Sequence, residues 1–395
     1  MNKNLIAKDR RYLLRDERPQ LIDVVRSEGD YVYDAKGKKY VDFLMGWCVG
    51  NLGWGKKEIR RAIRNFKGPD YVLPSQLYAP WAELAELLAQ VTPGKLQKSV
   101  RATGGTEAVE IALQAAMAHT KRQGFISVEG SYHGHSIGAM SVGASSFRDW
   151  YKNLLPDCYK IKPPLDDVAA EKITTILKTR KIAAFIAEPI IMNLGVTIPT
   201  QSFWRKVQRA CRQYGTLLII DEVATGFGRT GKMFGADHYG LKPDIMTLGK
   251  GISSGVGALG ATIMTPTVAK SFSFDFSFYS TYGWHPLNVA AALANIRYLK
   301  KHERSLMAHV NVMGEYFERR LFEIPFQYQP KIRRRGLAIK VSFEQNGYGM
   351  EVAKKAAQQG VIVSYWSSNG FSLFPSLTIT KKVADEGLQR ITASV

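Results

Sequence analysis

Four apolar residues, 217–220, run without a break into two carboxylates, Asp221 and Glu222. A short unbroken apolar run bounded by turn residues predicts a strand buried on both faces, the habit of parallel sheets. Similar short runs recur at 125–128, 183–187, 245–248 and 261–264, and 99–102 is a further candidate strand. Between them the hydrophobic period changes to that of a helix. Residues 81–90 carry Leu84, Leu87 and Leu88 as one stripe, and Pro93-Gly94 ends the segment. Residues 107–119 are rich in Ala and Leu, and 202–215 place Phe203, Val207, Cys211 and Tyr214 at helical spacing. Strand, helix and strand in succession predict βαβ units, hence an α/β fold with a mostly parallel sheet flanked by helices.

The flanks read differently. Residues 31–33 and 40–43 are short apolar strands around a turn at 34–38, which predicts a hairpin. The stretch MGWCVGNLGWG then sets Gly46, Gly50, Gly53 and Gly55 around Trp47 and Trp54, a loop able to wall a pocket. After a helix at 287–299, helical stretches at 312–321 and 351–359 alternate with strands near 337–343 and 361–363. These predict a smaller α+β domain. The expected division is 1–60 as its N-terminal part, 61–300 as the large domain and 301–395 as its C-terminal part.

Composition narrows the class. The chain has 395 residues, 54 basic and 34 acidic, for a net charge of +20. The basic runs are scattered and no nucleic-acid module surrounds them, so nucleic acid is not the expected partner. A basic site mouth suited to phosphate and carboxylates is the better reading. The start of the chain is too charged for a signal peptide, and no apolar run approaches membrane-spanning length, so no membrane partner is expected. Cys48, Cys158 and Cys211 show no metal spacing and predict a reduced, cytoplasmic protein.

The chemistry gathers at strand ends. Asp221 closes one predicted strand and Lys250 follows another, on the sheet edge where α/β proteins bind ligands. Gly104-Gly105-Thr106 opens the helix after strand 99–102, so bare N–H groups, a hydroxyl and the helix dipole make an anion site. Pyridoxal 5′-phosphate needs this set: a lysine for the Schiff base, a carboxylate at the ring nitrogen and a phosphate cradle. Three decoys fall away. GFGRTGKM places Met233 where a phosphate loop needs Ser or Thr, GVGALG neither follows a strand nor opens a helix, and His133 with His135 lacks a third metal ligand at proper spacing.

The stretch DEVATGFGRTGKMFGADHYGLKPDIMTLGKGISSG resembles the core of the class III, ω-type aminotransferases of fold type I. The resemblance implies Lys250 as the Schiff-base lysine and Asp221 as the partner of the pyridine nitrogen. It implies Val223 and Tyr132 on the two ring faces, with His133 supporting the Tyr132 loop, and Gly104, Gly105 and Thr106 at the phosphate. Thr281 would reach the phosphate of a partner subunit, which makes the expected assembly a homodimer. Trp47 would line the substrate pocket. The implied reaction moves an amino group from an amine, ω-amino acid or amino acid to a carbonyl acceptor by a ping-pong route. An aminomutase of the glutamate-semialdehyde kind and a non-catalytic dimeric binding protein are the alternatives. Two positions depart from the family pattern: Asn193 and Ser364 stand where many members carry a glutamate and a carboxylate-clamping arginine, and a basic residue among Arg333 to Arg335 is the candidate substitute. Ala224 replaces a usual glutamine.

Overall fold

The computed structural model describes residues 3–14, 22–271 and 278–395. Strands β1 (Val24–Glu28), β2 (Tyr31–Asp34) and β3 (Lys39–Asp42) come first. Next are β4 (Lys98–Ala102), β5 (Gly124–Val128), β6 (Cys158–Ile161), β7 (Ile182–Ala187), β8 (Leu217–Asp221), β9 (Ile245–Leu248) and β10 (Gly260–Met264). The last are β11 (Lys331–Arg335), β12 (Ala338–Ser342), β13 (Val361–Ile362), β14 (Ser364–Ser367) and β15 (Gly370–Leu373).

Seven of them form the central sheet, in the order β4-β10-β9-β8-β7-β5-β6. Pairs from β9 through β6 are parallel, whereas β10 runs antiparallel to both its neighbours. The sheet is mixed for a sequence-blind reason: a strand buried on both faces is apolar throughout whichever way it points. Helices return the chain between parallel neighbours. The helix Gly105–Thr120 lays Val109, Ile111, Leu113 and four alanines on the sheet, all buried. Its small residues let the backbone come close, and each buried Val or Leu contributes about 1.5–3 kcal/mol. The helix Gln201–Tyr214 is started by the Thr200 hydroxyl, which accepts from Phe203 N at 3.0 Å, and is stopped by Gly215 at φ +63°. Expected Phe203, Val207 and Cys211 are buried along it, as is Trp204.

This topology brings five C-terminal strand ends to one edge. Beyond β4, β5, β7, β8 and β9 come Gly104, Tyr132, Glu188, Val223 and Lys250 respectively. The antiparallel β10 begins at the same edge, and Gly260 packs so tightly there that a Cβ would lie 2.4 Å from Gly104 O.

Two four-stranded sheets flank this body. One has the order β1-β2-β3-β13 and contains the expected hairpin. The expected strand 361–363 joins that hairpin in parallel, Val361 opposite Val41, and so ties the two chain ends together. The other sheet, β11-β12-β15-β14, is antiparallel. Its β11 contains Arg333 to Arg335, a charged run that pairs as one half-solvated strand. No described helix is long and apolar enough to cross a membrane.

Candidate active site

Lys250 and Asp221 line one cavity of about 600 Å³ at the convergent sheet edge. The cavity wall also takes in Gly105, Thr106, Tyr132, Val223 and Trp47. Seven of the expected site residues therefore meet in one place. Gly104 stands behind the wall as the N-cap of Gly105–Thr120, where its carbonyl accepts from Ala108 N at 3.0 Å. Thr281 is exposed and does not line this cavity.

Asp221 is nearly wholly buried and tightly held. Its Oδ1 accepts from Val223 N at 3.1 Å and from the Thr247 hydroxyl at 2.9 Å. Its Oδ2 accepts from His133 Nδ1 at 2.6 Å. These three contacts fix the orientation of the carboxylate. His133 Nε2 is buried with no partner. His135, in turn, lies 2.9 Å from the Tyr132 hydroxyl through Nδ1. Each histidine thus has a local task; no described cluster of three His, Cys, Asp or Glu side chains could hold a metal ion.

At the other end the helix Gly105–Thr120 points its N-terminus into the cavity. The acidic side chain of its first turn is folded away: Glu107 Oε2 accepts from Thr103 N and from the Thr103 hydroxyl, both at 2.6 Å. The Thr106 hydroxyl bonds to no described residue. Open N–H groups, a free hydroxyl and the positive end of a sixteen-residue helix suit a phosphate. Gly105 is required by close approach, since a Cβ there would sit 2.8 Å from Val223 Cγ1. Lys250 follows Gly249 out of β9 at φ +41° and opens a short 3-10 turn.

The outer wall carries residues that the motif reading passed over. Glu188, just past β7, is buried with Oε1 unpartnered; burial and then the neighbouring Asp221 push its carboxyl up to about 8, against the pull of Lys250. Its place directly after a buried strand was the signal that could have found it. Trp47 sits in a turn where Met45, Gly46, Trp47 and Cys48 all have positive φ, from 46° to 67°. A left-handed run costs non-glycine residues roughly 1–2 kcal/mol each. It is held by Asp42, whose Oδ1 accepts from Leu44 N at 2.9 Å and Met45 N at 2.8 Å. Trp47 then packs on Phe374 with ring centroids 6.2 Å apart. Asn193 lines the cavity and donates to Gly130 O at 2.9 Å, while Ser364 lies on β14, buried and outside the cavity wall. Ala224 is also on the wall.

A flat cofactor with a phosphate, a basic ring nitrogen and an aldehyde fits this donor set: helix N-terminus, buried carboxylate and lysine surround one space. Comparison with known proteins points the same way. The family described as Aminotransferase class-III matches residues 12–395. A putrescine aminotransferase of Pectobacterium atrosepticum is 35% identical over 363 residues, which cover 88% of this chain and 77% of the relative. An (S)-enantioselective ω-transaminase from Thermomicrobium roseum superposes with a TM-score of 0.90 at 28% identity, covering 100% of this chain and 98% of the other. The ω-transaminase of Pseudomonas jessenii, solved in complex with PMP, gives 0.91 at 25% identity, covering 98% and 96%. The chain belongs to the class III aminotransferases, transaminases that work with pyridoxal 5′-phosphate.

Proposed function

We propose that this transaminase takes nitrogen from a primary amine or ω-amino acid and passes it to a carbonyl acceptor, with Lys250 and Asp221 as its catalytic residues. The observation that carries the reading is that these two line one cavity with the N-terminus of Gly105–Thr120. When bound, the cofactor supplies an electron sink for the carbon that carries the amine.

The protein residues do the rest. Lys250 would hold the cofactor through Nζ and, once its amine is free, would act as the base that takes the proton from the substrate carbon. Asp221 keeps a proton on the ring nitrogen. His133 holds the Asp221 carboxylate in place through the 2.6 Å contact. Val223 and Tyr132 flank the ring, and Gly105 and Thr106 hold the phosphate beside Gly104. Glu188 is largely protonated at neutral pH, so it adds no competing charge beside Asp221. Trp47 shapes the space left for the substrate. Donor and acceptor use the same space in turn, which makes the kinetics ping-pong.

The working unit in this proposal is a cytoplasmic homodimer, in which the exposed Thr281 completes the partner's phosphate site, and the small domain is formed by 1–60 and 301–395 around 61–300. Mixing Lys250→Ala and Thr281→Ala chains then restores part of the activity that each variant lacks; no recovery contradicts the crossing. The direct test of function is a panel of amines and ω-amino acids added to the loaded protein. Bleaching of the cofactor band by amines, and its return on adding a carbonyl acceptor, supports the reading. A band that no donor changes contradicts it.

A further inference from the structure

Glu188 stands just past β7 on the cavity wall, with 4% of its surface exposed. Its Oε2 accepts from Met192 N at 3.3 Å, while its Oε1 is buried without a partner. Buried polar atoms are nearly always paired, so an orphan on a cavity wall calls for a ligand group. The ionisable side chains around it are Asp221, Glu222 and Lys250, with Cys48 close by. Burial and then Asp221 push the Glu188 carboxyl up to about 8, so at neutral pH it carries a proton to donate. Away from Lys250 and the phosphate end, the other polar side chains of the wall each have a partner. Asn193 donates to Gly130 O, Tyr132 pairs with His135, and His133 pairs with Asp221.

The order of the strands decides which part of the cofactor Glu188 would meet. Pyridoxal 5′-phosphate carries its phosphate arm and its ring hydroxyl on opposite sides of the line from ring nitrogen to aldehyde carbon. Asp221, at the end of β8, and Lys250, after β9, would set that line. The phosphate would lie at the N-terminus of Gly105–Thr120, which opens after β4, on the β9 side of β8. The hydroxyl would then face the opposite side. The neighbouring strand there is β7, and Glu188 follows its end. Ala224, also on the wall, has no polar side chain for that hydroxyl, at a position where the family pattern has glutamine.

We propose that the Glu188 carboxyl donates a hydrogen bond from Oε1 to the oxygen of the cofactor's ring hydroxyl, a task that Ala224 cannot perform. The proposal rests on the transaminase reading. A donor on this oxygen stabilises its anionic form. The oxygen then shares less of the proton on the Schiff-base nitrogen of Lys250, and that nitrogen gives its proton up at lower pH. A charged carboxylate in the same place would repel the anion and act in the opposite sense.

The test reads the pH midpoint at which the absorption band of the loaded protein changes, with no substrate added. Glu188→Leu fills similar space and cannot donate, so its midpoint rises by about one unit. Glu188→Gln still donates through its amide, so its midpoint stays within about 0.3 units of the parent. An unmoved midpoint in Glu188→Leu, or a fall in both variants as loss of a negative charge would give, overturns the proposal. Should Glu188→Leu not fold, infrared difference spectra of loaded minus empty protein take its place, with Glu188→Gln identifying the band. The acid stretch of Glu188 then moves to lower wavenumber on loading; an unmoved stretch, or a carboxylate band instead, overturns the proposal. Bleaching of the cofactor band by an alkylamine separates the two levels. If no amine bleaches it, the transaminase reading falls and the proposal with it. If amines bleach it while midpoint and stretch stay put, the role of Glu188 alone falls.

Discussion

Asp221 and His133, 88 positions apart in the chain, meet at 2.6 Å with both side chains buried. The contact joins the end of β8 to the loop after β5, so a hydrogen bond fixes the group that faces the cofactor ring. A hydrogen bond to a charged group contributes about 1.5–3 kcal/mol. Replacing His133 by Gln therefore slows the amine half-reaction by about 10- to 100-fold. Asp221→Asn, which cannot keep the ring nitrogen charged, costs more, about 1000-fold. Single-turnover bleaching of the cofactor band measures both. A His133 variant with an unaltered rate and an unaltered pH profile would show that the contact serves only to pack the loop.

Gly105 is where phosphate cradle and ring wall touch. A methyl group there would come within 2.8 Å of Val223 Cγ1. Overpacking of this kind costs about 1–3 kcal/mol, so Gly105→Ala holds the cofactor about 10- to 100-fold more weakly. Gly105→Ala with Val223→Ala regains part of the loss, because the clash partner is gone. Cofactor content after dialysis gives the answer; equal retention by Gly105→Ala and the parent contradicts the geometry.

Much of this site was legible before the fold. Asp221 and Lys250 announce themselves because each follows a short apolar run, and buried parallel strands leave that trace. The reversal of β10 is silent, since its burial pattern is that of its parallel neighbours. The hairpin of β14 and β15 was missed because Ser364, Ser367 and Ser372 suggest a solvated loop, yet Ser364 and Ser372 are buried. The helix Lys381–Thr392, with Ala384, Leu388 and Ile391 on its buried side, was also passed over. Contacts such as Asp221 with His133 have no local signature at all. They depend on which strand ends the topology brings together.

Lys340 makes a prediction about stability. Burial, and then Arg333, hold its pKa down to about 8, against 10.5 in an unfolded chain. Below about 8 both states carry the charge, and the folded state bears the full cost of burying it. As pH rises from 8 towards 10.5 the folded state loses its proton first and the cost fades. Lys340→Met therefore stabilises the protein by roughly 1–3 kcal/mol at pH 7. The gain shrinks above pH 8 and approaches zero near 10.5. Denaturant titration of both proteins at pH 7 and 9.5 checks the sign. A variant that is less stable at pH 7, or a gap that widens with pH, contradicts it.

The most direct measurement is to load the protein with pyridoxal 5′-phosphate, reduce it with borohydride and locate the attached pyridoxyl group by peptide mass spectrometry. The group is predicted on Lys250, and prior addition of an amine donor abolishes the labelling. A label on another lysine such as Lys160 or Lys340, or no label at all, contradicts the account.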